Sequence, residues 1–127
     1  MAKEISPKKK ICDVSYQKIL NDNLFITSKE IEFDKIISNL QKKNIENYNI
    51  LIALDYKPTP GYELLIKKII KKKSKIIIYY SEKKNKESTM LQVLTYPYCL
   101  LQIENLEKFK IKIKKKRLKF FPFSIFN

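Results

Sequence analysis

Residues 49–66 read NILIALDYKPTPGYELLI and predict a strand, a tight corner and a second strand. The run 50–54 is apolar without interruption and has the length of a strand, which is typical of a strand buried on both faces. After the corner, Tyr62 to Ile70 resumes as a strand. The rest of the chain is expected to pack around this unit.

The corner itself is predicted to be stiff. Pro58 and Pro60 fix their own φ, and each pushes the residue before it toward an extended conformation. Gly61 is the only glycine in the chain. At a corner it indicates a positive φ, or a close approach that a Cβ would block. Two interpretations remain open: a well-made turn with no further role, or an exposed loop that a partner recognises.

Composition limits the class of protein. The chain has 127 residues, enough for one domain with a substantial core, and a formal charge of +14. Lys, Ile, Asn, Tyr and Phe make up 70 of the 127 residues, which indicates AT-rich coding bias. The 27 basic residues include one arginine, Arg117. Because phosphate and base recognition favours the bidentate guanidinium, this argues against a dedicated nucleic-acid binder.

The two cysteines, Cys12 and Cys99, are far apart and form no CxxC motif. A disulfide is one interpretation, in an oxidising compartment. The favoured expectation is two unpaired thiols, with Cys99 buried as a small hydrophobe in an apolar run.

Catalysis is not expected. The chain has no histidine to act as a base near neutral pH, and one glycine cannot build a phosphate-binding loop. The neighbouring acids Glu30 and Glu32, and Glu104 and Glu107, are interpreted as solvated surface. We therefore expect no enzyme, no catalytic residue, no cofactor, no metal and no small-molecule substrate.

The wider pattern predicts an α+β domain: a mainly antiparallel β-sheet of five to seven strands with one amphipathic helix, about 29–43, packed on it. Ser28 is the predicted N-cap of that helix, and the apolar stripe comprises Ile31, Phe33, Ile36, Ile37 and Leu40. Further strands are predicted at 13–19, 24–27, 75–81, 90–94, 98–103 and 109–114, with loops at 71–74 and 82–88 and a break at Tyr96-Pro97. Residues 118–127 are interpreted as a last edge strand or as an apolar anchor for a partner or a membrane.

The corner Lys57-Pro58-Thr59-Pro60-Gly61-Tyr62, followed later by Thr95-Tyr96-Pro97-Tyr98, resembles the C-terminal domain of the PrcB family of bacterial protease-complex subunits. That family shows a Pro-Thr-Gly-Gly-Tyr corner after an apolar strand, then two strands and a Pro-Tyr element. Pro60 replaces the first glycine, so the turn type does not transfer. The resemblance spans about Asn23 to Ile113.

Residues 1–10 are polar and lysine-rich and are predicted to be a flexible basic arm. Residues 11–127 are predicted to form a single domain, which the resemblance makes PrcB-like. The resemblance also implies a non-enzymatic accessory subunit of an extracytoplasmic protease complex. The partner would be a protein, a protease or a larger envelope assembly. Location would be periplasmic or at the cell surface if a leader was removed, and cytoplasmic if Met1 is the native start.

Partner contact is predicted at two elements that combine tyrosine with proline, a pairing that gives flat, low-entropy contact surfaces. The residues are Tyr56, Lys57, Pro58, Thr59, Pro60, Gly61, Tyr62, Tyr96, Pro97 and Tyr98. Both elements should lie near one end of the sheet if they act together. The Tyr96–Pro97 bond is hypothesised to be cis. The alternative is that these tyrosines are partly buried sheet residues.

Two other functions remain open. The Pro58–Tyr62 segment is similar to the Pro-Thr-Thr-Gly-Tyr loop of chagasin-like cysteine-protease inhibitors, which also use a glycine-rich second loop that this chain lacks. The other alternative is a charge-driven binder of nucleic acid or of an anionic membrane. It requires lysines concentrated on one face.

Overall fold

The computed structural model describes residues 2–21, 23–40, 47–57, 61–84 and 94–116. The strands are β1 (Lys3–Ile5), β2 (Lys9–Ser15), β3 (Phe25–Thr27), β4 (Ile50–Ala53), β5 (Tyr62–Lys72), β6 (Lys75–Lys84), β7 (Tyr96–Gln102) and β8 (Lys110–Lys115). One α-helix, α1 (Phe33–Leu40), and one turn of 3-10 helix, Leu106–Lys108, complete the described elements.

The strands form two four-stranded sheets. The central sheet has the order β2-β7-β4-β3 and is antiparallel throughout. The outer sheet has the order β1-β5-β6-β8, antiparallel except for the parallel pair β6 and β8. A mainly antiparallel β fold with one helix was therefore correctly predicted. The strand count was wrong, because the described residues alone contain eight strands, and they lie in two sheets.

The central sheet lies between the outer sheet and α1, which explains the apolar run in β4. Ile50 and Ile52 belong to the core shared by the two sheets, whereas Leu51 and Ala53 pack with α1 on the opposite face. All four β4 side chains are buried. The predicted strand with two buried faces is confirmed.

The amino-terminal segment is paired rather than free. Lys3–Ile5 pairs with β5, and Ile5 packs against the core. Lys9–Ser15 pairs with β7 along its whole length. The flexible arm predicted at 1–10 is therefore wrong for these strands. Half of the exposed positions in β1 and β2 are lysines, and the partly buried Ile5, Ile11 and Val14 do not follow the two-residue period of a strand.

The helix is shorter than predicted. It begins at Phe33, so Ser28 lies too far upstream to be its N-cap. The Ser28 N–H donates to the Asn49 carbonyl at 2.9 Å and so continues the β3–β4 pairing. Ile31 was assigned to the apolar stripe but is 99% exposed. Phe33 and Ile37 are buried as predicted. Residues 41–43 lie outside the described residues.

Two predicted breaks in strands are wrong. β6 continues through Glu82–Lys84 instead of ending in a loop, and 85–88 lie outside the described residues. β7 begins at Tyr96 and contains Pro97, and the Tyr96–Pro97 bond is trans, so the cis hypothesis is wrong.

Pro97 is tolerated inside a sheet because β4 ends beside it. The Pro97 carbonyl accepts the Leu54 N–H at 2.9 Å. In an antiparallel strand, the N–H and C=O of one residue point to the same neighbouring strand. The N–H that Pro97 lacks would therefore have faced Leu54, just beyond the last residue of β4. Of the predicted strand 90–94, Leu94 has no strand structure and 90–93 lie outside the described residues, as does 118–127.

Cys12 and Cys99 form a disulfide with an S–S distance of 2.05 Å. They are directly opposite each other in the register of β2 and β7. The expectation of two unpaired thiols is therefore wrong, although Cys99 is buried as predicted. The spacing of 87 residues contained no sign of this register.

Candidate functional site

The two predicted contact elements meet at one end of the molecule. The Lys57 N–H donates to the Thr95 carbonyl at 2.7 Å, and the Thr95 N–H donates to the Lys57 carbonyl at 3.0 Å. This isolated bridge places the corner beside the start of β7. The expected proximity of the two elements is present.

Six described residues at this end form what we call the corner surface: Tyr56, Lys57, Gly61, Tyr62, Leu94 and Tyr96. Among the described residues, four large apolar side chains are exposed, and two of them lie here: Tyr56 at 52% and Leu94 at 49%. Leu94 was missed, because it was assigned to a strand. Leu94 lies two residues before Tyr96, which was a predicted contact residue, and this was the signal available in the sequence.

Gly61 has a φ of 103°, so the predicted positive φ is confirmed. A side chain at this position would be strained, since this region of φ favours glycine. Gly61 immediately precedes β5, and it therefore sets the direction in which Tyr62 leaves the corner. Pro58, Thr59 and Pro60 lie outside the described residues.

Two of the predicted contact residues are not at the surface. Pro97 is fully buried, and Tyr98 is 3% exposed within the cluster that packs under α1. Their strand has neighbours on both sides and layers on both faces. Burial removes Pro97 and Tyr98 as direct contacts in this conformation, whereas Tyr96 remains half-buried.

An ion-pair cluster includes Lys57 of the corner surface. The Glu82 carboxylate binds the ammonium groups of Lys57 and, at 2.8 Å, of Lys115. The side chains of Glu82 and Lys57 are 18% and 23% exposed, whereas that of Lys115 is 51% exposed. The pair with Lys57 is therefore the better shielded of the two. Sequence analysis missed the cluster, because it placed Glu82 in a loop.

Glu82 is held in its charged form. Partial burial raises its pKa, but hydrogen bonds from Lys115 and Lys57, together with their charge, outweigh burial and leave the pKa below the ordinary value of 4.5. Burial raises the pKa of the neighbouring Tyr80 hydroxyl. The cluster is therefore ionic at neutral pH and fixes the position of Lys57.

The ring of Tyr62 lies near two ammonium groups. The Nζ atoms of Lys57 and Lys84 are 5.4 Å and 5.6 Å from the ring centroid. Cation–π attraction of this kind is worth about 0.5–1 kcal/mol at exposed sites. It restrains Tyr62 and links it to the Glu82 cluster through Lys57.

A cleft of about 250 Å³ lies elsewhere, between β2 and β5. Its lining comprises Lys10, Cys12, Asp13, Val14, Glu63, Leu64, Leu65 and Ile66, so it adjoins the disulfide and not the corner surface. Within the described ranges, no three His, Cys, Asp or Glu side chains are grouped as a metal site. The corner surface offers an aromatic ring, an aliphatic side chain and fixed ammonium groups, which suit contact with another macromolecule.

A known protein family matches the part of the chain that contains the corner surface. Residues 49–104 match the family model for the PrcB C-terminal domain. The predicted resemblance to the PrcB family is confirmed. The match is shorter than the predicted Asn23–Ile113, and it covers β4 to β7 with the corner, Cys99 and Glu82. No curated protein and no solved structure gives a significant match.

The PrcB-like segment contains every residue of the corner surface, while α1, Cys12 and Lys115 lie outside it. None of the helices in the described part of the chain has the length and hydrophobicity needed to cross a membrane.

Proposed function

We propose that this chain is a non-enzymatic interaction domain that binds a protein partner through the corner surface, in the manner of a PrcB-type accessory subunit of a protease complex. The observation that carries the proposal is the Lys57–Thr95 bridge, which brings Tyr56 and Leu94, both about half exposed, to one end of the PrcB-like segment.

The surface has the composition of a contact site. Tyrosine supplies a large area with few rotatable bonds, and partly exposed aromatic and aliphatic side chains often carry most of the binding energy. The Glu82 cluster and the positive φ of Gly61 hold the surrounding backbone and Lys57 in place. A surface that is already ordered loses less entropy when it binds.

The disulfide supports the proposed location. Disulfides persist in oxidising compartments and are rare in the reducing cytosol. The Cys12–Cys99 bond therefore favours an extracytoplasmic site, where a protease complex of the cell envelope would be met.

The test compares two double variants. Tyr56→Ala with Leu94→Ala removes the exposed apolar groups of the corner surface. Tyr16→Ala with Ile31→Ala removes the same kind of groups elsewhere, since those residues are 68% and 99% exposed. Each protein is used to capture partners from the envelope fraction, and the affinity for the captured protease-complex subunit is then measured.

We expect the corner variant to lose at least about tenfold in affinity, because alanine replacement of such contacts costs about 1–2 kcal/mol or more. The control variant should bind like wild type. Equal affinity of both variants would show that the partner uses another surface. Inhibition of a papain-class protease that the corner variant loses would instead assign the surface to the inhibitor alternative.

A further inference from the structure

The outer face of the outer sheet carries a regular array of lysines. In β6 and β8 the core-facing residues are Ile76, Ile78, Ile111 and Ile113, so the alternate residues point away from the core. In the part of β5 that follows the irregularity between Ile66 and Lys68, Ile69 faces the core. The outward lysines, which we call the lysine face, are Lys68, Lys72, Lys75, Lys110, Lys112 and Lys114.

Strand register arranges these lysines in rows. Lys72, Lys75 and Lys110 are paired across three adjacent strands. Two residues further along are Ile70, Ile77 and Lys112, followed by Lys68, Tyr79 and Lys114. With strands about 4.8 Å apart and a rise of about 3.3 Å per residue, the array measures roughly 10 Å by 13 Å.

The helical layer has the opposite balance of charge from the lysine face. The segment 28–40, which includes α1, has Glu30, Glu32 and Asp34 against Lys29 and Lys35. In the described part of the outer sheet, the acid nearest to the rows is Glu4, opposite Ile70 at the edge. Coding bias explains how many lysines the chain has, but it does not explain why six of them share one face with Glu4 as the nearest described acid.

The arrangement is unfavourable for the isolated fold. Like charges directly opposite in neighbouring strands destabilise a sheet. Among the described residues, none of the six lysines forms an ion pair with a carboxylate. An anionic partner would relieve this repulsion.

We infer that the lysine face binds the surface of an anionic phospholipid bilayer. Lysines near such a surface each contribute about 1 kcal/mol, which is about fivefold in affinity, and require no fixed geometry. Ile77 is 5% exposed, so the centre of the face offers little apolar anchor of the kind that a stable protein interface needs. The disulfide places the chain in a compartment where nucleic acid is not the ordinary ligand.

The experiment uses the full oxidised chain and sedimentation with vesicles. One vesicle contains equal parts of phosphatidylcholine and phosphatidylglycerol, and the other contains phosphatidylcholine alone. We expect binding to the anionic vesicle only, and loss of that binding between about 0.05 M and about 0.5 M salt, where screening shortens the reach of each charge.

Two triple variants with the same change in net charge locate the site. Lys110→Gln, Lys112→Gln and Lys114→Gln should lower affinity for the anionic vesicle by roughly a hundredfold, at about fivefold for each lysine. Lys9→Gln, Lys18→Gln and Lys35→Gln remove exposed lysines from β2, the following loop and α1, and should change it only a few-fold. Thermal unfolding checks that both variants fold.

Three results would overturn the inference: no binding to the anionic vesicle at low salt, equal losses in the two triple variants, or tighter binding of duplex DNA than of the vesicle through the same lysines. The lysine face and the corner surface share no residue. The vesicle assay can therefore fail while the partner assay succeeds, and the reverse.

Discussion

The central and outer sheets have four strands each, but they differ in how many faces are covered. The central sheet packs against the outer sheet on one side and α1 on the other, so β4 is apolar at every position. By the residues that the structure describes, the outer sheet is covered on one side, and β8 alternates isoleucine with lysine over Lys110–Lys114. The comparison teaches that the number of buried faces is recorded in the period of the hydrophobic pattern.

The two sheets also differ in the interactions that they contain. The central sheet has the disulfide and a strand that is buried on both faces, with Leu51 on the α1 side and Ile52 on the side of the outer sheet. The outer sheet has the lysine rows and the Glu82 cluster. Variants in the two sheets should therefore differ in how much stability they cost, and three experiments can test this.

The largest effect is expected from breaking the disulfide that joins β2 to β7. Cys12 is exposed, so Cys12→Ser removes the bond with little loss of packing. Closing a loop with a sequence separation of 87 residues is worth roughly 4–5 kcal/mol in the chain-entropy account. Denaturant unfolding should show a loss of this order. Reductant should destabilise wild type similarly and leave Cys12→Ser unchanged; a reductant effect on that variant would contradict the assignment.

The second largest loss of stability is expected when one core side chain from each sheet is replaced by alanine. Leu51→Ala in β4 should cost about 3 kcal/mol, because a side chain covered on a doubly buried strand leaves a cavity. Ile113→Ala in the edge strand β8 should cost about 1 kcal/mol, since Ile113 is half-buried and water can fill the space. Unfolding curves of the two variants measure the difference. Equal losses would mean that the outer edge is as well packed as the centre.

The smallest effect concerns the Glu82 cluster and its dependence on pH. Glu82→Gln should cost about 1–2 kcal/mol at pH 7, because it removes a carboxylate that accepts charged hydrogen bonds. The pKa of Glu82 is lowered in the folded state, so this stability is present above the ordinary value of 4.5 and is lost as pH falls through the lower, folded value.

Unfolding measured from pH 7 down to about pH 3 checks this sign. The stability difference between wild type and Glu82→Gln should narrow as Glu82 is protonated. Because Lys115 is half exposed and solvent screens its charge, Lys115→Gln should have a smaller effect and serves as the control. A difference that is constant over this range would contradict a depressed pKa.

Sequence patterns were most informative where they were long and unbroken. The run 50–54, the hairpin of β5 and β6 and the alternation in 109–114 were all correctly predicted as strands. Gly61 was correctly predicted to need a positive φ. Each of these follows from local geometry, in which a residue and its immediate neighbours decide the outcome.

The predictions were less accurate for the start of the helix and for the amino-terminal strands. The Ser28 cap was wrong because the β3–β4 pairing extends to Ser28 and the helix begins only at Phe33. The partly buried residues of β1 and β2 do not follow the two-residue period of a strand, and pairing with β5 and β7 stabilises these strands. Of the candidate contact residues, Tyr56, Tyr62 and Tyr96 lie at one end of the molecule, whereas Pro97 and Tyr98 are buried. Partner contact at this end stays a prediction.

By itself, the sequence determined the mainly antiparallel β class, the one-sided and two-sided burial of particular strands, the turn at Gly61 and the likeness to the PrcB family, because period, chirality and motif are properties of consecutive residues. Only the tertiary structure decided the division into two sheets, the Cys12–Cys99 bond, the Glu82 cluster and the assembly of the lysine rows. These depend on the register between strands that are distant in the chain, and a register shift of one residue would move every side chain of a strand to the opposite face.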